Sequence, residues 1–300
     1  SSFTVFLSIM FLIIGSQGFV GQALIQQLRS QSLPFIDVDC AGNPLYKIDI
    51  VSDFSKLDSL ISEYNPSYVI NLAAFSNSKS CNSFPEKVYA LNVDFVRRLA
   101  LSCIKYCVPS LFHASSEWIY GPGPVMEMSA INPMDCYHRS LDLYSRSKLD
   151  SELILHHIIQ QKPSCLTKFV IYRFGIIYGN SKFQSNCVVD YLLSSFKSSN
   201  ELSVNSPHSS RCFVALDDIC DLFTLAPEIC ASKLSSPLNS FNIQGPSSYS
   251  LSGIIDFLYN KSSFVEPSLA NNQYDTKVVA SDLEYLLDRS PMPLESYLKA

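Results

Sequence analysis

Apolar residues along this chain gather into short runs that alternate with longer stretches of helical spacing. Ile9 to Ile14 is one such run. A segment this short and apolar throughout reads as a strand buried on both faces. Gln22 to Arg29 follows with a helical pattern. In Phe35 to Asp39, Ile36 and Val38 alternate with Asp37 and Asp39, which predicts a second strand. The same rhythm predicts a helix over Ser55 to Tyr64, a strand with its exit over Tyr68 to Ala74, a long helical stretch from Lys87 to Cys107 and a strand over Ser110 to Ser115. A helix over Tyr144 to Gln161 and a strand over Lys168 to Ile176 come next. The pattern then loosens: Val188 to Ser198, Ile219 to Leu225 and Ser250 to Tyr259 read as helices and Asn239 to Gln244 as a strand, while the last forty residues predict a short strand, a helix and a tail. Strands alternating with helices predict an α/β fold, a parallel sheet with right-handed crossovers and helices on both faces. Ligands of such sheets bind at the carboxyl ends of the strands.

Several residues suited to ligand chemistry fall at those ends. Gly15, Gly18 and Gly21 link the first strand to the first helix, with Gln17, Phe19 and Val20 between and after them. Glycines let a backbone approach a pyrophosphate, and a helix N-terminus favours its negative charge. The spacing is Gly-x-x-Gly-x-x-Gly and departs from the commoner Gly-x-Gly-x-x-Gly. Asp39 lies 24 residues after Gly15. A carboxylate there accepts from an adenosine 2′-hydroxyl and repels a 2′-phosphate, which favours NAD over NADP; a solvated loop acid is the other reading. Asp49 and Ile50 stand where an adenine edge would pass, and after Leu72 at the strand exit Ala73 and Ala74 are small enough to admit a cofactor backbone. Asn92 sits inside the long helical stretch and Arg173 at the exit of the Lys168 to Ile176 strand. Ser116 ends another strand, and Tyr144 and Lys148 share a helix face. An ammonium beside a phenol lowers the tyrosine pKa and makes a proton donor and acceptor suited to a carbinol or carbonyl.

Composition narrows the class. A chain of 300 residues that is 47% hydrophobic supports a large core. Net charge −5 and a pI near 5.5 give no basic footprint for nucleic acid. The ten cysteines form no Cys-x-x-Cys pair and the five histidines no ligand spacing, so we expect no metal site and reduced thiols in a cytoplasmic protein. Phe3 to Ile14 is apolar apart from Thr4 and Ser8. It is too short to span a bilayer and lacks a basic flank, so it predicts a buried strand with a hydrophobic extension and no membrane partner.

Gly15-x-x-Gly18-x-x-Gly21, Asn71 to Ala74, Ser115 to Gly121, Tyr144-x-x-x-Lys148 and Arg173 to Gly179 together resemble the extended short-chain dehydrogenases/reductases, over nearly the whole chain. Leu91 to Asp94, Ser116 to Tyr120 and Ser147 to Glu152 look most like the dTDP-4-dehydrorhamnose reductase branch, which includes the regulatory β subunit of methionine adenosyltransferase. The resemblance implies a Rossmann-type NAD(P)-binding domain over 1–180, with parts of 205–245 returning to it, and a smaller substrate lobe over 181–300. It implies Ser116, Tyr144 and Lys148 as a catalytic triad, with Tyr144 the acid/base and Lys148 also on the nicotinamide ribose. Ser116, Glu117 and Trp118 would meet the substrate. Arg211 would contact its diphosphate, unless it pairs with Asp217 or Asp218. The cofactor set would be Gly15, Gln17 to Gly21, Asp39, Asp49, Ile50, Leu72 to Ala74, Asn92, Tyr144, Lys148 and Arg173.

One departure is local. Pro133 precedes Tyr144 by eleven residues, so Met134 to Leu143 looks inserted at the rim, and Tyr137 has the usual spacing from the proline but no lysine four residues on. The resemblance implies reduction of a keto nucleotide sugar by NAD(P)H. It also admits a non-catalytic subunit that holds NAD(P) and docks a synthetase, with Arg289 to Ala300 as an exposed docking tail, or a homodimer. An NAD-dependent epimerase shares the same triad. Dehydratases of this kind add an acidic pair in a Thr-Asp-Glu pattern, whereas Ser116-Glu117-Trp118 has one acid.

Overall fold

The computed structural model describes residues 10–76, 78–121, 132–138, 141–179, 187–198, 207–260 and 281–299. In chain order its first half contains β1 (Phe11–Ile14), α1 (Phe19–Ser30), β2 (Phe35–Asp39), β3 (Tyr46–Lys47), α2 (Phe54–Tyr64), β4 (Tyr68–Asn71), α3 (Ser78–Ser83), α4 (Pro85–Tyr89), α5 (Phe95–Lys105) and β5 (Ser110–Ser116). The second half contains α6 (Leu143–Gln161), β6 (Lys168–Phe174), β7 (Ile176–Tyr178), α7 (Val188–Ser198), β8 (Ser210–Ala215), α8 (Leu216–Thr224), α9 (Ala226–Ser232), β9 (Leu238–Ile243), β10 (Ser248–Ser250), α10 (Leu251–Asn260), α11 (Leu283–Leu287) and α12 (Leu294–Lys299). No helix of the described residues is long and apolar enough to cross a membrane.

Seven strands form one parallel sheet in the order β3-β2-β1-β4-β5-β6-β9. The predicted α/β architecture is therefore the observed one, a Rossmann-type sheet flanked by helices with a smaller C-terminal lobe. The apolar run of β1 follows from burial on both faces. Phe11 and Ile13 join the cluster that contains Leu24 and Leu28 of α1 and Phe223 of α8. Leu12 and Ile14 join the cluster that contains Leu57 of α2, Leu99 of α5 and Leu155 of α6. Strand order reverses between β1 and β4, and a crevice opens at the carboxyl ends of strands at such a point.

A second sheet, β10-β8-β7, carries the smaller lobe, with β7 parallel and β10 antiparallel to β8. The predicted strand Lys168 to Ile176 is in fact two. Gly175 separates β6 in the large sheet from β7 in the small one, and a Cβ there would stand 2.8 Å from the Cys212 carbonyl oxygen. The predicted helix Lys87 to Cys107 is likewise interrupted. Ala90–Asp94 is a π turn between α4 and α5, and one extra residue per turn rotates Asn92 inward.

The C-terminal segment, expected as an exposed tail, is folded in. Arg289 pairs with Asp218 at 2.7 Å and Asp221 at 2.5 Å. The Met292 amide donates to Asp218 at 2.7 Å, and Leu294 and Leu298 of α12 pack with Tyr178, Phe213 and Tyr249. Of the last forty residues, expected as a short strand, a helix and a tail, 261–280 lie outside the described residues and α11 and α12 are the helices described, while the extension from Phe3 to Ile9 and Arg139 and Ser140 of the apparent insertion also lie outside them.

Candidate active site

Two clefts meet at the glycine loop. One, of about 490 Å³, is lined by Gly15, Gly18, Asp39, Asp49, Ile50 and Ala73, among others. The other, of about 470 Å³, is lined by Gly18, Phe19, Ser116, Trp118, Tyr144 and Lys148, again among others. Gly15, Gly18, Leu72 and Ala74 belong to both. Gly15 has φ +84°, and a Cβ there would stand 2.6 Å from the Ala73 amide nitrogen. Only glycine lets β1 turn this close to the β4 exit. Gly18 caps α1 and has open space on the side a Cβ would take, apart from the Gly15 carbonyl oxygen at 3.4 Å.

The Asp39 carboxylate is fixed at the end of β2. It accepts from the Gln17 amide at 2.9 Å and the Ala41 amide at 3.0 Å. Gln17 itself turns from both clefts and binds the next loop, its Oε1 accepting from the Asn43 amide at 3.3 Å. Backbone donors from Val51 and Ser52 hold the Asp49 carboxyl below the usual carboxylate range.

Ser116 ends β5 and accepts from the Trp118 amide at 3.2 Å. Tyr144 and Lys148 come from the first turns of α6, whose N-cap is Asp142, accepting from the Ser145 amide at 2.8 Å. Tyr144 is the tyrosine that enters the cleft. Tyr137 is 48% exposed beneath the Arg146 guanidinium. The expected lowering of the Tyr144 pKa by Lys148 is not what the geometry gives. Burial pushes the phenol up to about 12 against a lowering hydrogen bond to Ser116. Burial also lowers Lys148 to about 8, and its ammonium donates to the Ala114 carbonyl at 2.7 Å. Behind it runs a directed chain. Asn71 Oδ1 accepts from the Ala73 amide, which leaves Nδ2 to donate to His113 Nδ1 at 3.2 Å. His113 Nε2 then donates to Ser151 Oγ at 2.9 Å, and Ser151 donates to the Lys148 carbonyl at 2.7 Å. Burial keeps His113 neutral, well below its ordinary pKa.

Four residues expected at the ligands line neither cleft. Arg173 is fully buried and pairs with Glu152, Nη2 to Oε2 at 2.7 Å. A buried guanidinium needs such a partner, so its place is the core between β6 and α6. Asn92 is 1% exposed; it accepts from the Phe75 amide at 2.9 Å and donates to Ser147 Oγ at 2.9 Å, holding a cleft wall from behind. Glu117 is 1% exposed and lines neither cleft. Arg211 also lies outside both linings, with its guanidinium 5.6 Å from the centre of the Trp118 ring. Its other expected partner Asp218 is held by Arg289.

Ile176, Ile177 and Cys187 line the cleft that holds Ser116, Tyr144 and Lys148 and were not expected at a ligand. The first two follow from the break at Gly175. Cys187, just before α7, carried no sequence signal.

Residues 11–243 match the NAD dependent epimerase/dehydratase family. The chain belongs to this family. Among curated relatives, a probable low-salt glycan biosynthesis reductase of Haloferax volcanii is 27% identical over 56% of this chain and 53% of its own length. The methionine adenosyltransferase 2 subunit beta of Xenopus laevis is 24% identical over 75% of this chain and 63% of its own length. The chain thus spans about half to two thirds of the length of these relatives. Among solved structures, a UDP-glucuronic acid 4-epimerase from Bacillus cereus, in complex with UDP-glucuronic acid and NAD, has TM-score 0.74 at 21% identity over 97% of both chains. These relatives differ in what they do, and they do not single out the dehydrorhamnose-reductase branch.

Proposed function

We propose that this chain is an NAD-dependent enzyme acting on a nucleotide sugar, and that its reaction is a redox-neutral epimerisation at a sugar carbinol. The observation that carries the reading is the convergence of Ser116, Tyr144 and Lys148 on a cleft that shares its glycine loop with the cleft ending at Asp39. NAD fits that pair of clefts. Gly15 and Gly18 leave a backbone cradle for the pyrophosphate, and Asp39 and Asp49 line the adenosine end. The one lysine on that lining, Lys87, lies over the Phe84 ring. Two carboxylates there disfavour a 2′-phosphate.

Bound there, the nicotinamide supplies a two-electron acceptor and donor for the carbinol. The protein's part is proton transfer and positioning. Tyr144 gives a proton to the substrate oxygen or takes it, Ser116 holds that oxygen, and the Lys148 ammonium, fixed on the Ala114 carbonyl, carries the positive charge of the site. The lobe beyond residue 180 is the proposed sugar side. Glu117 is buried and lines neither cleft, and among the described residues no carboxylate lines the cleft that holds Ser116, which does not favour a dehydration. The likeness to an epimerase over nearly the full length supports the epimerase reading. A reductase is the second reading, favoured by the identity to the glycan biosynthesis reductase. The subunit reading loses its docking tail, which is packed into the lobe.

Purified protein is expected to release NAD on denaturation, or to bind added NAD more tightly than NADP. A preference for NADP would contradict the reading. Asp39→Asn is expected to weaken NAD binding by about 10- to 100-fold, the range for a hydrogen bond to a charged acceptor, and to strengthen NADP binding. Opposite signs for the two dinucleotides, measured by titration calorimetry, separate lost recognition from general damage.

A further inference from the structure

We propose that His113 is a positioning residue: as a neutral imidazole it ties the helix turn that carries Lys148 to the wall of the cleft assigned to NAD. This deepens the reaction proposed above and rests on its use of Lys148. His113 lies on β5 and is 2% exposed. Three consecutive residues of β5 grip α6. His113 Nε2 donates to Ser151 Oγ at 2.9 Å, the Ala114 carbonyl accepts from the Lys148 ammonium at 2.7 Å, and Ser115 Oγ donates to Glu152. Lys148 is the middle contact, flanked by the other two. The Ser115 contact belongs to the buried ion pair of Glu152 with Arg173. The His113 contact carries no charge and leads the other way. Its Nδ1 accepts from Asn71 Nδ2 at 3.2 Å, and Asn71 Oδ1 accepts from the Ala73 amide at 3.2 Å. Ala73 lines the cleft that ends at Asp39.

Both ends of this chain set the direction of its hydrogen bonds. Ser151 has one hydroxyl proton and gives it to the Lys148 carbonyl at 2.7 Å, so towards His113 it accepts. Asn71 Oδ1 is taken by the Ala73 amide, so Nδ2 faces His113 as a donor. The imidazole is left one state, with its proton on Nε2. A second proton would have to enter Nδ1 against the Asn71 amide hydrogens. It would also place a second positive charge near Lys148, and burial and Lys148 both lower the His113 pKa. Glu152 on the same helix and Cys81 of α3 favour the Lys148 ammonium. Tyr144 and Cys187 share its cleft, and Asp142 and Glu117 act on Tyr144. His113 thus gives α6 a hydrogen bond from β5 without adding a charge beside the lysine. A buried polar chain with every member satisfied holds one arrangement.

His113 is expected to keep its single proton on Nε2 between about pH 5 and 8, read by imidazole nitrogen NMR of the protein with NAD present and assigned by comparison with His113→Gln. His113→Phe fills the space but donates nothing. It is expected to lower kcat on a nucleotide sugar by about 10- to 100-fold, the scale of a misplaced catalytic group. His113→Gln, whose amide donates to Ser151, recovers most of that, and Ser151→Ala behaves as His113→Phe does. In both damaging variants the Lys148 ammonium loosens from the Ala114 carbonyl. The alkaline limb of kcat/KM therefore moves to lower pH, by up to about one unit, part of the worth of a hydrogen bond to a charged group. A loss of stability alone would leave that limb in place. Competitive acetylation of Lys148 across pH, read by mass spectrometry of its peptide, follows the same shift without substrate. If the His113→Phe profiles coincide with wild type or move to higher pH, or if the imidazole titrates in that range, the proposal is overturned and the role of Lys148 stands. If wild-type protein turns over no nucleotide sugar, the reaction proposed above falls, while the NMR and acetylation profiles still decide the part of His113. Should His113→Phe fail to fold, Ser151→Ala and His113→Gln decide by the same readings.

Discussion

Tyr144→Phe is expected to lower kcat by about 10²–10⁴-fold, the range for loss of a general acid or base, while NAD binding changes little. The phenol oxygen is the group removed, and the ring that helps line the cleft remains. Burial holds the Tyr144 pKa at about 12 before any ligand enters, so the free protein presents a neutral phenol, a donor at working pH. Lys148 sets the alkaline limit. Burial lowers its pKa from 10.5 to about 8, so the ammonium is present below pH 8 and lost as pH rises through that value. The kcat/KM profile is expected to fall above about pH 8. Stability moves the other way. Between about pH 8 and 10.5 the unfolded chain binds the Lys148 proton and the folded chain releases it, so the Lys148 contribution to stability rises with pH there. Lys148→Met is accordingly expected to raise stability at neutral pH and to abolish turnover. A Tyr144→Phe enzyme with wild-type kcat would remove Tyr144 from the chemistry.

Glu152→Ala is expected to cost about 3–5 kcal/mol of stability, the penalty for stranding one member of a buried ion pair. Glu152 and Arg173 are both fully buried. Arg173 Nε and Nη2 donate to the carboxylate at 3.1 and 2.7 Å, Ser115 Oγ donates to it as well, and Arg173 Nη1 donates to the Tyr120 hydroxyl at 2.9 Å. Removing Glu152 leaves the guanidinium charged, with its carboxylate partner gone. Glu152 lies one turn past Lys148 on α6, and Ser115 and Arg173 are neighbours on β5 and β6. The pair therefore fixes the helix that carries Tyr144 and Lys148 against the strand that carries Ser116. The double replacement Glu152→Leu with Arg173→Met is expected to recover most of the loss. Denaturant midpoints of the single and double variants check both statements. A single variant within about 1 kcal/mol of wild type would contradict the role given to the pair.

The large sheet was legible because its strands are buried on both faces and so stand out as short apolar runs. The glycine loop and Asp39 were legible for a related reason: each lies at a strand end, where chain order alone predicts a crevice. The misplacements have their own causes. Arg173 and Glu152 are 21 residues apart, and a charge can be read as buried only once its partner is known. Asn92 was expected at the cofactor, because one added residue in a π turn hardly disturbs a helical pattern yet turns the side chain inward onto the Phe75 amide. β8 carries Arg211 and Cys212 beside Phe213 and Val214, with no clean alternation to mark it as a strand. The packed C-terminal segment depends on Asp218, Asp221 and Arg289, whose pairing spans about seventy residues and leaves no local trace.

In the proposed reaction one site oxidises and re-reduces a sugar carbinol with no net use of cofactor. The direct measurement incubates wild-type protein with UDP-glucuronic acid or UDP-glucose and a catalytic amount of NAD, without added reductant, and follows the sugar by NMR. The 4-epimer is expected to accumulate to equilibrium while reduced dinucleotide stays at or below the amount of protein. Absence of epimer, together with stoichiometric consumption of NADH on a keto nucleotide sugar, would contradict it and establish the reductase instead.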